Sequence, residues 1–157
     1  KEKKDRVDDA LAATKAAIEE GIIPGGGVAL IRAGETLKSI QGDNDDENTG
    51  IQIIATAVQA PLKQIVENSG GEGAVVISKI LTEKGDFGYN AKNDTYENML
   101  KAGIIDPTKV TRIALENAAS VGSMLLTTEC VLADIKDENP MPPMGAPGMG
   151  GGMPGMM

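Results

Sequence analysis

Residues 103–121, GIIDPTKVTRIALENAASV, decide the architecture of this chain. Asp106-Pro107-Thr108 is a strong helix start, with an acid in the capping position and Pro at the first helical one. Beyond it Val110, Ile113, Ala114, Ala118, Val121, Met124 and Leu125 recur at helical spacing and predict one apolar face. Ala118, Ala119, Ser120 and Gly122 are small enough to let a neighbouring helix come close. The reading is a long helix built for helix packing, and with it a mainly α chain.

Moving toward the N-terminus, residues 1–20 read as a helix with Val7, Leu11, Thr14 and Ile18 in one stripe, ended by Gly21. Its start, KEKKDR, sets three lysines against the positive end of the helix dipole. That start reads as a helix begun upstream. Ile22-Ile23-Pro24 leads into the glycine turn Gly25-Gly26-Gly27, and a second helix is expected from Val28 to about Ile40. Residues 41–50, QGDNDDENTG, read as an exposed acidic loop. A third helix is expected over 49–66, with Pro61 kinking it or removing one hydrogen bond. A short helix at 73–83, a hairpin or ordered loop at 84–96 and a brief helix at 97–102 follow. Toward the C-terminus, TTECVLADI (127–135) is β-rich and reads as a terminal strand needing a partner from elsewhere. Residues 140–157, PMPPMGAPGMGGGMPGMM, have no helical or strand period and predict a mobile tail bearing six methionines.

Composition narrows the function classes. Aromatics are 2% of the chain, so the core must be aliphatic. A net charge of −8 argues against a nucleic-acid partner, which would need a basic face. There is no histidine to act as general base or metal ligand, and the lone Cys130 permits neither an internal disulfide nor a cysteine zinc site. No run of about 18 apolar residues signals a membrane span. These features suit a reducing cytoplasm.

Candidate chemistry is sparse. The glycine turn precedes a helix start, where exposed N–H groups attract anions, but it matches neither a dinucleotide fingerprint nor a P-loop. On spacing alone, 25–27 reads first as a structural turn. Asp8 and Asp9 read first as a solvated acidic face, Asp106 is explained by capping, and Asn90 and Ala91 by loop geometry.

In combination these stretches resemble the GroEL-type (group I) chaperonins. EEGIIPGGGVALIRA, APLKQIVENSG, FGYNA, GIIDPTKVTRIALENAASV and TTECVLAD, closed by the Gly-Met tail, follow that family's order and spacing across essentially the whole chain. Group II chaperonins are less similar, lacking this tail and this DPTKVTR form. The resemblance implies a helical bundle like the GroEL equatorial domain, with a small β-hairpin and a C-terminal strand, incomplete in this chain. It divides the chain into the last helix of an intermediate domain (1–19), the C-terminal half of an equatorial, ATP-binding and ring-forming domain (20–136) and a disordered tail (137–157).

The resemblance also implies ATP/ADP and Mg2+ as cofactors, the metal ligands coming mainly from an N-terminal half not in this sequence. Asp9 would orient the water attacking ATP. Gly26 would meet the nucleotide through its backbone, Asn90, Ala91 and Lys92 would lie against the adenine with Ile104 as an apolar wall, and Asp106 would accept from the ribose hydroxyls while capping its helix. Pro24 and Lys92 depart from the small residues usual at their positions. Implied partners are other subunits in two stacked seven-membered rings, a co-chaperonin lid and unfolded clients, with no nucleic acid and no membrane. A bacterial cytoplasm is the implied location, ahead of a mitochondrial matrix. The competing reading is a stand-alone helical interaction module that binds no nucleotide.

Overall fold

The computed structural model describes residues 1–135; the tail anticipated at 137–157 lies outside the described residues. Six helices and two small antiparallel sheets follow in the order α1 (Glu2–Glu20), β1 (Ile22–Pro24), α2 (Val28–Leu37), α3 (Asp45–Ala57), α4 (Ala60–Asn68), α5 (Gly73–Thr82), β2 (Phe87–Asn90), β3 (Thr95–Asn98), β4 (Ile105–Pro107) and α6 (Thr108–Leu126). The chain is mainly α, as its sequence implies. No helix of the described residues is long and apolar enough to cross a membrane.

The core is aliphatic and lies under α2, α4 and α5. Val28, Ile31, Leu62, Val66, Val76, Ile77 and Ile80 meet there, closed on one side by Tyr89 and Met99 of the hairpin region. On each helix these residues recur three or four apart, so each buries one stripe and leaves the other face wet. Leu62, Val66, Ile80, Met99 and Val28 are fully enclosed, and each contributes roughly 1.5–3 kcal/mol of burial.

Several local expectations change in the structure. The acidic run is not all loop: α3 begins at Asp45, because the Asn44 side chain accepts from the Glu47 N–H at 2.9 Å while Glu47 Oε2 accepts from the Asp43 N–H at 2.8 Å. The Asn44 bond caps the helix and the Glu47 bond ties down the residue before the cap, while Asp45, Asp46 and Glu47 sit in the first turn, where negative charge is favoured. The helix expected over 49–66 is two helices, parted at Val58-Gln59, with Pro61 in the first turn of α4, where its missing N–H costs nothing. The second helix stops at Leu37 rather than near Ile40. Residues 97–102 do not form a helix. Glu97 and Asn98 finish β3, and a turn follows in which Asn98 Oδ1 accepts from the Lys101 N–H at 2.9 Å.

Both ends of the chain differ as well. The stripe Val7–Leu11–Ile18 faces solvent, with Ile18 80% exposed, while the partly covered positions of α1 are Ala13, Ala16 and Ala17. Alanines let α1 approach α6 closely, and charge fixes the pair. Arg112 holds Glu20 at 2.6 Å and Glu116 at 2.9 Å, and Lys109 pairs with Glu19. Residues 127–135 form no strand; with no partner among the described residues, Val131, Leu132 and Ile135 are exposed. A β-rich segment without a partner cannot satisfy its ladder, and that is the physical reason the expected strand is absent.

Candidate functional site

The sequence signals converge on a ladder that sequence reading did not anticipate. β1 pairs with β4 antiparallel, with Ile22 opposite Pro107, Ile23 opposite Asp106 and Pro24 opposite Ile105. This ladder corrects the role expected of Asp106. It is a strand residue, Pro107 occupies the N-cap position of α6, and no side chain caps that helix among the described residues. Pro107 fits because its missing N–H is not needed at a three-residue strand end.

Beyond the ladder the glycine turn folds tightly over the same backbone. The Gly25 N–H donates to the Ile104 carbonyl at 3.0 Å, and a Cβ on Gly25 would lie 3.1 Å from the Ile104 and Ile105 backbone. Gly26 sits over Met99, whose Cε is 3.1 Å from where a Gly26 Cβ would be, with the Tyr89 carbonyl 3.9 Å away. Ile104 closes the cluster, its N–H donating to the Met99 carbonyl at 2.9 Å, and its side chain packs against the core. Met99 is therefore the platform that brings Gly26, Ile104 and the end of β2 together.

The hairpin β2–β3 carries the next group. Phe87 lies opposite Asn98, Gly88 opposite Glu97, Tyr89 opposite Tyr96 and Asn90 opposite Thr95. Tyr96 stacks on Phe87 at 5.9 Å between ring centroids, and Lys79 of α5 lies 3.6 Å from the Tyr96 centroid. These contacts hold the hairpin on the core. The Tyr89 hydroxyl donates to Asp94 at 2.8 Å; that bond, and then burial, raise the tyrosine's pKa. Asn90 is half-buried, Ala91 packs against the core edge, and Lys92 is exposed.

Asp106 is half-buried, and burial pushes its carboxyl above the ordinary range. It stands at the head of an open apolar groove of about 730 Å3 between α6 and the α2–α4 layer, lined by Pro24, Gly27, Val58, Ile65, Ala114 and Ala118 among others. The structure thus brings Gly26 and Ile104 onto Met99 beside the β1–β4 ladder that carries Asp106, while Asn90 and Ala91 stand at the turn end of the hairpin, Ala91 against the core and Lys92 exposed next to it.

Asp9 is apart from them. It is exposed on α1, and at 1.5 Å per residue it stands about 16 Å along the helix axis from Glu20, the end of α1 latched to α6. Asp8 is exposed too. The residue that sequence reading passed over is Glu97, which accepts a hydrogen bond from the Asn90 side chain at 2.7 Å. Two-residue periodicity could have shown it, had 97–102 not been read as helix, since Asn90 and Glu97 then share one face of the hairpin.

The model of the TCP-1/cpn60 chaperonin family matches residues 1–136, nearly the whole chain. A match of that extent, on a mainly helical chain whose small sheets gather the glycine turn and the DPTKVTR run, decides the kinship. The chain belongs to the TCP-1/cpn60 chaperonin family.

Proposed function

We propose that this chain is the C-terminal part of a GroEL-type (group I) chaperonin subunit, contributing part of its ATP site and its ring contacts. Family membership itself carries the coarser statement: chaperonin-type assistance to protein folding. The finer reading is an ATP-driven double ring in a bacterial cytoplasm that folds clients under a co-chaperonin lid. One observation carries the nucleotide part, the convergence of Gly26, Ile104 and the Asn90 hairpin on Met99, with Asp106 across the adjoining ladder.

That arrangement suits the nucleoside end of ATP. Ile104 offers an apolar wall, the hairpin end offers backbone and amide groups, and Asp106 offers a half-buried acceptor for ribose hydroxyls. A Cβ at position 26 would press on Met99, so glycine there permits close approach. The fit to a metal ion is different. Among the described residues no three carboxylates or thiols gather to hold one, and in this reading the Mg2+ ligands come mainly from the N-terminal half of the subunit. Asp9, exposed on α1, would reach the phosphates only if α1 and the site came together in the working assembly.

Phosphoryl transfer depends on positioning and electrostatics, so a carboxylate aligning water acts mainly on the transition state. In the assembled subunit Asp9→Ala should still bind ATP while single-turnover hydrolysis falls by orders of magnitude. Asp8→Ala, turned about 100° around the helix, should keep near-normal turnover. Equal, near-normal rates for both, or loss of binding without loss of chemistry, would refute the assignment.

A further inference from the structure

Asn90 has its side chain fully specified by two bonds of opposite polarity. Its Nδ2 donates to Glu97 Oε1 at 2.7 Å, and its Oδ1 accepts from the Lys92 N–H at 3.1 Å. A carboxylate can only accept and a backbone N–H can only donate, so a single orientation of the amide satisfies both. Flipping it would set oxygen against oxygen at Glu97 and N–H against N–H at Lys92. The second bond is an Asx turn that shapes residues 90–92, and the first is charge-assisted and therefore the stronger.

The register explains how Glu97 reaches its partner. Glu97 lies opposite Gly88, which offers no side chain on that face, so the carboxylate can lean diagonally toward Asn90. Gly88 itself is forced, because a Cβ there would lie 2.5 Å from Val28 Cγ2 and 2.6 Å from Met99 Cγ. The same core contact that seats the hairpin thus leaves room for the Glu97–Asn90 pair. Glu97 is half-buried, so its bond is partly shielded from water.

We propose that Glu97 is a positioning residue for nucleotide binding: it fixes the Asn90 amide and so sets the shape of the 90–92 turn on which the adenine rests. The proposal builds on the reading above that Asn90 and Ala91 meet the base. In that reading Glu97 stands behind Asn90 on the adenine side, so its effect falls on affinity and the chemical step is left alone.

The test uses the assembled subunit with steady-state ATP hydrolysis, reading KM and kcat separately. Glu97→Thr keeps a strand-favouring residue but is too short to reach Asn90. It should raise KM for ATP roughly fivefold, the size of one partly exposed hydrogen bond, with kcat unchanged. Glu97→Gln keeps an acceptor oxygen and should restore KM to near the parent value. Asn90→Ala should raise KM by at least as much, and Asn90→Ala with Glu97→Thr should be no worse than Asn90→Ala alone. If Asn90→Ala raises KM but Glu97→Thr does not, the positioning role is overturned while the adenine reading stands. If neither variant moves KM, the adenine reading falls and takes this proposal with it. Failure of Glu97→Gln to rescue, or a fall in kcat at unchanged KM, also overturns the proposal.

Discussion

Gly27→Ala tests how the glycine turn is seated on the core. Gly27 has φ +80° and ψ 0° at the N-cap of α2, a left-handed conformation that costs an L-residue roughly 1–2 kcal/mol. A Cβ there would also lie 2.8 Å from the Leu62 backbone nitrogen and 2.9 Å from Leu62 Cβ. The obstruction is the first turn of α4, which cannot swing aside as a flexible side chain would. Pushing α2 from α4 would loosen the core cluster that holds fully buried Val28 and Leu62, and overpacking of this kind adds about 1–3 kcal/mol. The sum is about 2–5 kcal/mol. Gly70→Ala is the control, since Gly70 has φ +85° but open space around a Cβ, leaving the conformational cost alone. Urea denaturation followed by helical circular dichroism should show a larger fall in midpoint for Gly27→Ala than for Gly70→Ala, at similar slope. Equal midpoints for the two variants would show that the close approach to Leu62 is not what demands glycine at position 27.

Two further outcomes follow from the ionisable groups. The hydrogen bond from Arg112 holds the Glu20 carboxyl below its ordinary value of 4.5, so its stabilising pairing is present above that value and lost as pH falls through the folded-state value. Acid should therefore release the end of α1 from α6, read as lower protection factors for the α1 amides once the intrinsic pH dependence of exchange is divided out, and Glu20→Gln should remove that pH dependence while leaving the core protection unchanged. Asp106 has the opposite sign: its carboxyl is raised by burial, so its favourable contribution exists at low pH and disappears as pH rises through the folded-state value. Asp106→Asn should raise the denaturation midpoint of the nucleotide-free chain at neutral pH, with the gain vanishing in acid; a loss at neutral pH would mean that the charged form is favoured there.

What the sequence determined by itself is the set of local periods and punctuation. The stripe of Val110, Ile113 and Ala114, the Gly21 stop, the break at Asn68–Gly71 and the turn-rich aromatic segment each gave an element of the right type, because helix period and glycine chemistry act over a few residues. The capping pair of Asn44 and Glu47 was equally local, and its misreading as loop came from weighing acidity above cap spacing. Pairings between distant segments were another matter. Nothing near Ile22–Pro24 announces Ile105–Pro107, some 80 residues on, and three-residue strands carry too little pattern to be seen alone. That pairing turned Asp106 from a helix cap into a strand residue at the head of a groove. The exposed face of α1 likewise obeyed its neighbours, since α6 accepts the small Ala13, Ala16 and Ala17 and leaves Val7, Leu11 and Ile18 outside. Residue types named the candidate groups one by one. Only tertiary structure could bring Gly26, Ile104 and the Asn90 hairpin onto Met99, because close packing is a property of the surfaces that meet and is written in no single segment.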